Sequence, residues 1–169
     1  NKVHSREDLE KLSLNILGEI PFFDLTDSEK VFKSPDDRSI ISESFRMLMS
    51  NVRYLQKNDS KSNLILVTSS IKGEGKTLNA LNLALSYSSV GKKVLLIGCD
   101  LRNPQLHKYI NYDKSVPGLV DYLVDNKKEW KNNIIKPFDS QNIDVLLSGP
   151  LPPNPLNLIN NGNIDILLK

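Results

Sequence analysis

Residues 69–77 read SSIKGEGKT, and this stretch decides the interpretation of the whole chain. An apolar run, LILV at 64–67, precedes it, and a leucine-rich stretch, LNALNLAL at 78–85, follows it. A glycine-rich turn between a buried strand and a helix gathers backbone N–H groups at one point, and the helix adds the positive end of its dipole there. The stretch therefore predicts an anion-binding loop between a strand and a helix.

The loop matches the nucleotide-binding pattern G-x-x-x-x-G-K-[ST] except at its first position, which is Ser70. Gly73 and Gly75 remain to supply backbone angles that other residues avoid. Lys76 is expected to reach the β- and γ-phosphates of ATP, and the hydroxyl of Thr77 to hold Mg²⁺. The alternative is a surface turn rich in glycine and lysine, but the patterns on either side favour a phosphate-binding loop.

Length and composition indicate one globular domain. The 169 residues suffice for one core and are few for two, so we expect a single domain over 1–169, with the segment 1–39 packed on it. The net charge of +2 is too small to indicate nucleic acid as a partner. The single Cys99 excludes an internal disulfide and fits the cytosol, and no apolar run is long enough to span a bilayer. The chain begins without methionine and stops within an apolar pattern, so we expect a piece of a longer protein, truncated on its C-terminal side.

The chain before the loop predicts several short elements and one longer helix. Residues 5–12 predict a short capped helix, residues 16–21 a strand closed by proline, and residues 22–39 an exposed loop. A helical period follows, with one apolar face made of Ile41, Phe45, Leu48, Val52 and Leu55. Glu43 and Arg46 lie off that face, where a simple solvated pair is the plainest interpretation.

The chain after the loop predicts the fold class. The helix that follows the loop ends near Gly91, and a second aliphatic strand follows at 94–97. A strand, helix, strand order of this kind gives parallel pairing with a right-handed crossover. A third strand is expected at 143–147, before a rigid proline-rich turn at 148–155. We therefore expect an α/β fold like that of P-loop NTPases, with a mostly parallel sheet flanked by helices on both faces in three layers.

Asp100 follows the second strand, at the sheet edge where ligands bind in open α/β folds. We expect it to help seat the metal together with Thr77, and to act with Lys76 as a catalytic residue. Arg102 is a candidate for neutralising phosphate charge. The alternative for Asp100 is a turn cap before Pro104. The residues expected to contact the nucleotide are Ser70, Gly73, Glu74, Gly75, Lys76, Thr77, Leu78 and Arg102.

Four motifs extend along nearly the whole chain. They are LGEIP at 17–21, ESFR at 43–46, GEGKT at 73–77 taken with DLRNP at 100–104, and GPLPPNP at 149–155. Together they resemble the catalytic domain of the bacterial protein-tyrosine kinases that regulate capsule and exopolysaccharide polymerisation and export. The resemblance implies ATP and Mg²⁺ as cofactors and phosphoryl transfer to tyrosines of neighbouring copies. It also implies a cytoplasmic domain held at the cell membrane by a polysaccharide co-polymerase segment or subunit.

The chain departs from that family in two places. Gly98 stands where the family usually has an acid, and the family's third acid-bearing strand and tyrosine-rich tail do not lie in this chain. The resemblance further implies a ring-like oligomer whose contacts include a Glu-x-x-Arg-x-x-Arg helix. Glu43 and Arg46 match this pattern, Met49 replaces the second arginine, and Arg53 can substitute one turn further along.

Two other functions stay open. A partition or septum-placement type of P-loop ATPase would form a nucleotide-dependent dimer, but Ile71 occupies the position of its signature lysine. A nucleotide-binding scaffold without kinase activity is compatible with the missing acid at Gly98.

Overall fold

The structure, a computed structural model, describes residues 9, 14–22, 36–56, 62–127, 129–138 and 142–168. Leu9 is helical, but the rest of the helix predicted at 5–12 and most of the loop predicted at 22–39 lie outside the described residues. The elements are α1 (Ile40–Leu55), α2 (Lys76–Ser89), β1 (Val94–Ile97), α3 (Leu106–Tyr109), α4 (Leu119–Val124), a 3₁₀ helix (Trp130–Asn133), β2 (Ile134–Ile135), β3 (Ile143–Leu146), α5 (Pro155–Ile159) and α6 (Asn163–Leu167).

The described sheet has the strand order β1-β3-β2 and is mixed. β1 runs parallel to β3, with Val94 opposite Ile143 and Ile97 opposite Leu146, whereas β2 runs antiparallel to β3. The strands predicted at 94–97 and 143–147 are confirmed, although the second one ends at Leu146. The α/β class is also confirmed. This small mixed sheet does not establish the mostly parallel, three-layer arrangement.

Two predicted strands are wrong. Residues 14–22 and 62–68 contain no regular secondary structure. Leu64 and Leu66 are 73% and 82% exposed. A strand exists through its pairing with a neighbour, and within the described part of the chain no strand is paired with the run at 64–67. A cavity of about 1030 Å³ is lined instead by this run together with β1 and α2.

α1 confirms the helix predicted from the apolar period. Ser39 caps it, because the Ser39 hydroxyl accepts the N–H of Ser42 at 3.3 Å. The buried apolar residues Ile41, Phe45 and Met49 are spaced by four, and α1 packs against α2. Leu55, which we predicted on the buried face, is 55% exposed, so the fully buried part of that face does not extend to the last residue of the helix.

The core lies on both faces of β3. Because successive strand side chains point to opposite faces, Ile143 and Val145 join Leu81 and Leu85 of α2 in one cluster. Leu146 joins the α4 side chains Leu119 and Leu123 and the α6 side chain Leu167 in a second cluster. All of these residues are buried, so β3 is the central strand of the described fold.

Among the residues described, no helix combines the length and the apolar character needed to cross a membrane.

Candidate functional site

The loop before α2 has the backbone expected of an anion-binding turn. Gly73 and Gly75 have φ angles of 94° and 86°, values that strain residues with a side chain. The backbone bond at the helix start runs from the Asn79 N–H to the Gly75 carbonyl at 2.9 Å. The N–H groups of the three preceding residues therefore have no carbonyl partner within the helix. These residues are Lys76, Thr77 and Leu78. Such donors, at the positive end of the dipole of a 14-residue helix, favour a negatively charged group.

Lys76, at the start of α2, and Asp100, in the loop after β1, form an ion pair. The Lys76 ammonium nitrogen lies 3.2 Å from one carboxylate oxygen of Asp100, and the two side chains are 32% and 29% exposed. α2 positions the lysine in its first turn, and β1 ends three residues before the aspartate. Thr77 lines the same cavity as both residues. The structure thus brings together the three residues that the sequence predicted for phosphate and metal binding.

The other carboxylate oxygen of Asp100 forms the turn cap that we considered as the alternative. It accepts the N–H of Asn103 at 2.9 Å and that of Arg102 at 3.3 Å. Partial burial raises the pKa of Asp100, but the hydrogen bonds from Asn103 and Lys76, the positive charge of Lys76 and the Arg102 N–H together lower that pKa below its ordinary value. Asp100 is therefore a carboxylate at neutral pH, with one oxygen in the turn and the other directed at Lys76.

Glu74 binds the loop itself. One of its carboxylate oxygens accepts the backbone N–H of Ser70 at 2.9 Å and that of Ile71 at 3.1 Å. The Ser70 N–H, predicted as part of the nucleotide contact, is therefore already engaged within the loop. Sequence reasoning included Glu74 among the nucleotide contacts without foreseeing this internal role.

Gly98 has a packing function that the sequence did not reveal. The Ser148 hydroxyl donates to the Gly98 carbonyl at 2.7 Å, and a Cβ added at Gly98 would lie 2.9 Å from that hydroxyl oxygen. The glycine thus allows the end of β1 to approach the residues after β3. Ser148 was not predicted, and its only signal was its position directly after a buried strand.

The donors at the site suit magnesium held jointly with a nucleotide. No group of three or more histidine, cysteine, aspartate or glutamate residues that could hold a metal occurs within the described ranges. Mg²⁺ needs no such group, because it usually retains waters and binds one or two protein oxygens together with phosphate oxygens. The hydroxyl of Thr77 and the carboxylate of Asp100 match that requirement.

The remaining predicted residues lie apart from this pair. Arg102 contributes its backbone to the Asp100 turn, and its side chain is exposed. On α1, an Arg46 guanidinium nitrogen lies 2.6 Å from a Glu43 carboxylate oxygen, and the arginine also donates to the Asp37 carbonyl. Arg53 is exposed and lines the cavity edge. Met49 is 6% exposed, so it belongs to the core and cannot serve as a surface anchor.

Comparison with known proteins places these features in context. No protein-family profile matches the chain. The chain is 36% identical over 129 residues to the tyrosine-protein kinase YwqD of Bacillus subtilis (strain 168), a match that covers 76% of this chain and 53% of that protein. The chain therefore spans about half the length of this curated relative.

Two solved structures resemble the fold. The chimerical protein CapA2B2 superposes with a TM-score of 0.78 at 36% identity, covering 96% of this chain and 68% of that one. The kinase domain of the Escherichia coli tyrosine kinase ETK superposes with a TM-score of 0.83 at 24% identity, covering 97% of this chain and 66% of that one. At 24% identity the likeness to ETK shows the fold alone.

Proposed function

The chain belongs to the family of bacterial tyrosine-protein kinases, and we propose that it binds Mg·ATP at 69–77 and, in its longer natural protein, transfers the γ-phosphoryl group to tyrosine side chains. The observation that carries the proposal is the pairing of Lys76 with Asp100 at 3.2 Å, beside the N-terminus of α2. One mobile cation, one carboxylate and a set of helix N–H groups are among the parts that phosphoryl transfer uses.

The protein residues would act mainly through position and charge. Lys76 would exchange Asp100 for phosphate oxygens and offset the charge of the transferred group. Asp100 would then present its released oxygen to the metal or to a metal-bound water, while its other oxygen keeps the turn at 100–103 fixed. Magnesium, when bound, would supply further neutralisation of phosphate charge.

We also infer the setting of the reaction from the family. The longer protein would work as a cytoplasmic domain at the membrane, beside or fused to a polysaccharide co-polymerase, and would regulate capsule or exopolysaccharide export. Its sheet would be mostly parallel and covered by helices on both faces. Neighbouring copies would meet through α1, where Glu43 remains 55% exposed beside Arg46 and where Arg53 is also exposed.

Replacing Lys76 by methionine tests the nucleotide site. In the longer natural protein, we expect Lys76→Met to weaken Mg·ATP binding by about a hundredfold or more, because the charge on the phosphates loses its partner, and to abolish phosphotyrosine formation. Titration calorimetry and an anti-phosphotyrosine blot are the measurements. The control is Lys72→Met, which removes an exposed lysine of the same loop and should leave affinity within about threefold of wild type. Unchanged affinity in Lys76→Met would overturn the assignment.

The same assay separates the other candidate functions. A scaffold would bind Mg·ATP and give no phosphotyrosine, an outcome that the tight contact of Gly98 with Ser148 keeps open, since no acid fits there without movement. A partition-type ATPase would dimerise on binding ATP, again without phosphotyrosine. Phosphotyrosine that depends on Lys76 would exclude both.

A further inference from the structure

We propose that Glu74 is a positioning residue that braces the phosphate-binding loop from within. This inference rests on the proposed function, because the brace matters only if the loop binds phosphate. Its basis is the single Glu74 oxygen that accepts two consecutive N–H groups, those of Ser70 and Ile71.

Two consecutive N–H groups that converge on one point form a small anion site. In this loop the anion is part of the chain, since the Glu74 carboxylate fills the site at 2.9 and 3.1 Å. Hydrogen bonds to an ionised acceptor are roughly twice as strong as those between neutral groups. The start of the loop is therefore tied to the residue just before Gly75, which is the N-cap of α2.

The brace matters because the described part of the chain makes few other contacts with this loop. Residues 70–74 are all exposed, and a Cβ built at Gly73 would meet no atom within 4 Å. The other contact described here is also local, from the Ser69 hydroxyl to the Ile71 carbonyl at 2.9 Å. Fixing the loop before the ligand arrives lowers the ordering cost that binding would otherwise carry.

Glu74 could either hold the loop in shape or compete with phosphate for the same N–H groups, and the positions of those groups distinguish the two. Glu74 engages the N–H groups of Ser70 and Ile71, at the start of the loop. The N–H groups of Lys76 to Leu78, at the start of the helix, precede the first helical hydrogen bond and are available to phosphate. A carboxylate that occupied the place of phosphate would instead have to be displaced, and its removal would tighten nucleotide binding.

Two substitutions in the longer natural protein test the brace. In Glu74→Ala both hydrogen bonds are lost, and we expect Mg·ADP and Mg·ATP to bind about tenfold more weakly, with KM rising more than kcat falls. In Glu74→Gln the amide oxygen can accept the same two N–H groups, so affinity should recover to within about threefold of wild type. Because Glu74 is exposed, neither change should move the thermal midpoint measured without nucleotide.

Hydrogen exchange supplies a readout that needs no ligand. Mass spectrometry of peptides that cover residues 69–75 should show faster exchange in Glu74→Ala than in wild type, and protection restored in Glu74→Gln. Tighter nucleotide binding by Glu74→Ala, or a Glu74→Gln protein as weak as the alanine variant, would overturn the brace. If wild type failed to bind nucleotide, the proposed function would fall, and the exchange rates would still decide whether Glu74 braces the loop.

Discussion

β3 and the run at 64–67 have similar compositions and opposite environments. β3 reads IDVL and the other run LILV, yet Leu146 is 0% exposed whereas Leu66 is 82% exposed. β3 has β1 on one edge and β2 on the other, and the run at 64–67 is paired with neither. Apolar composition thus gives a segment the capacity to be a strand, whereas its neighbours decide whether it becomes one.

The loops that follow these two segments differ in the same way. After β3, the chain is fixed from outside: Ser148 bonds to Gly98, and a Cβ at Gly118 would lie 2.2 Å from the Leu147 carbonyl oxygen. After residues 64–67, the loop is fixed mainly by its own Glu74. One half of the site therefore inherits its rigidity from the core, and the other half depends on bonds within the loop.

Matched leucine truncations test the contrast between the two segments directly. We expect Leu146→Ala to lower the free energy of unfolding by about 3 kcal/mol, because it removes a fully buried side chain and leaves a cavity. Leu66→Ala should change it by less than about 0.5 kcal/mol, since that side chain is already in water. Urea unfolding of the 169-residue chain is the measurement. Equal losses in the two variants would show that the run at 64–67 is buried in solution.

A smaller free-energy change is expected from substitution of Asp100, which joins the two halves of the site through its ion pair with Lys76. Asp100→Asn should weaken Mg²⁺-dependent ATP binding at least tenfold, equivalent to roughly 1.4 kcal/mol, because Gly98 supplies no second acid. Since the pKa of Asp100 is lowered in the folded chain, its carboxylate contribution is full at neutral pH and is lost as pH falls through that lowered pKa. The difference between variant and wild type should therefore disappear only in acid. Titration calorimetry with and without Mg²⁺ measures it, and a wild-type result for the variant would leave Asp100 as a turn cap alone.

The smallest effect on stability is expected from substitutions on the exposed face of α1. Glu43→Ala combined with Arg46→Ala removes an exposed helix pair, so the free energy of unfolding should fall by less than about 0.5 kcal/mol. If α1 forms the contact between copies, the same double variant should lose concentration-dependent self-association while it retains ATP binding. Sedimentation velocity across a concentration series decides this. Association as strong as that of wild type would exclude this pair from the interface.

The sequence predicted the parts of the site that follow from local pattern. Gly73 and Gly75 take the backbone angles expected of the loop, and the position of Asp100 after β1 places it beside Lys76 at the start of α2. The sequence failed where the outcome depends on distant partners. The run at 64–67 looked like a strand because its pairing cannot be read from its composition, and β2 was missed because two residues show no period.

The contacts that only the structure reveals involve ordinary residue types. Ser148 and Glu74 carry no motif beyond their positions, and their function depends on which backbone groups lie within reach. Met49 stands where the family pattern has its second arginine, and its spacing of four from Phe45 places it in the core.

The ion pair between Lys76 and Asp100 also sets a thermodynamic relation between the two ligands. A nucleotide that draws Lys76 away leaves Asp100 without its neighbouring cation, and a metal ion that engages Asp100 leaves Lys76 without its anion. Whichever ligand binds first breaks the ion pair, so the second ligand binds without the free-energy cost of breaking it. By linkage, magnesium and ATP should increase each other's affinity by the same factor, so that the site favours the metal complex of the nucleotide over either component alone.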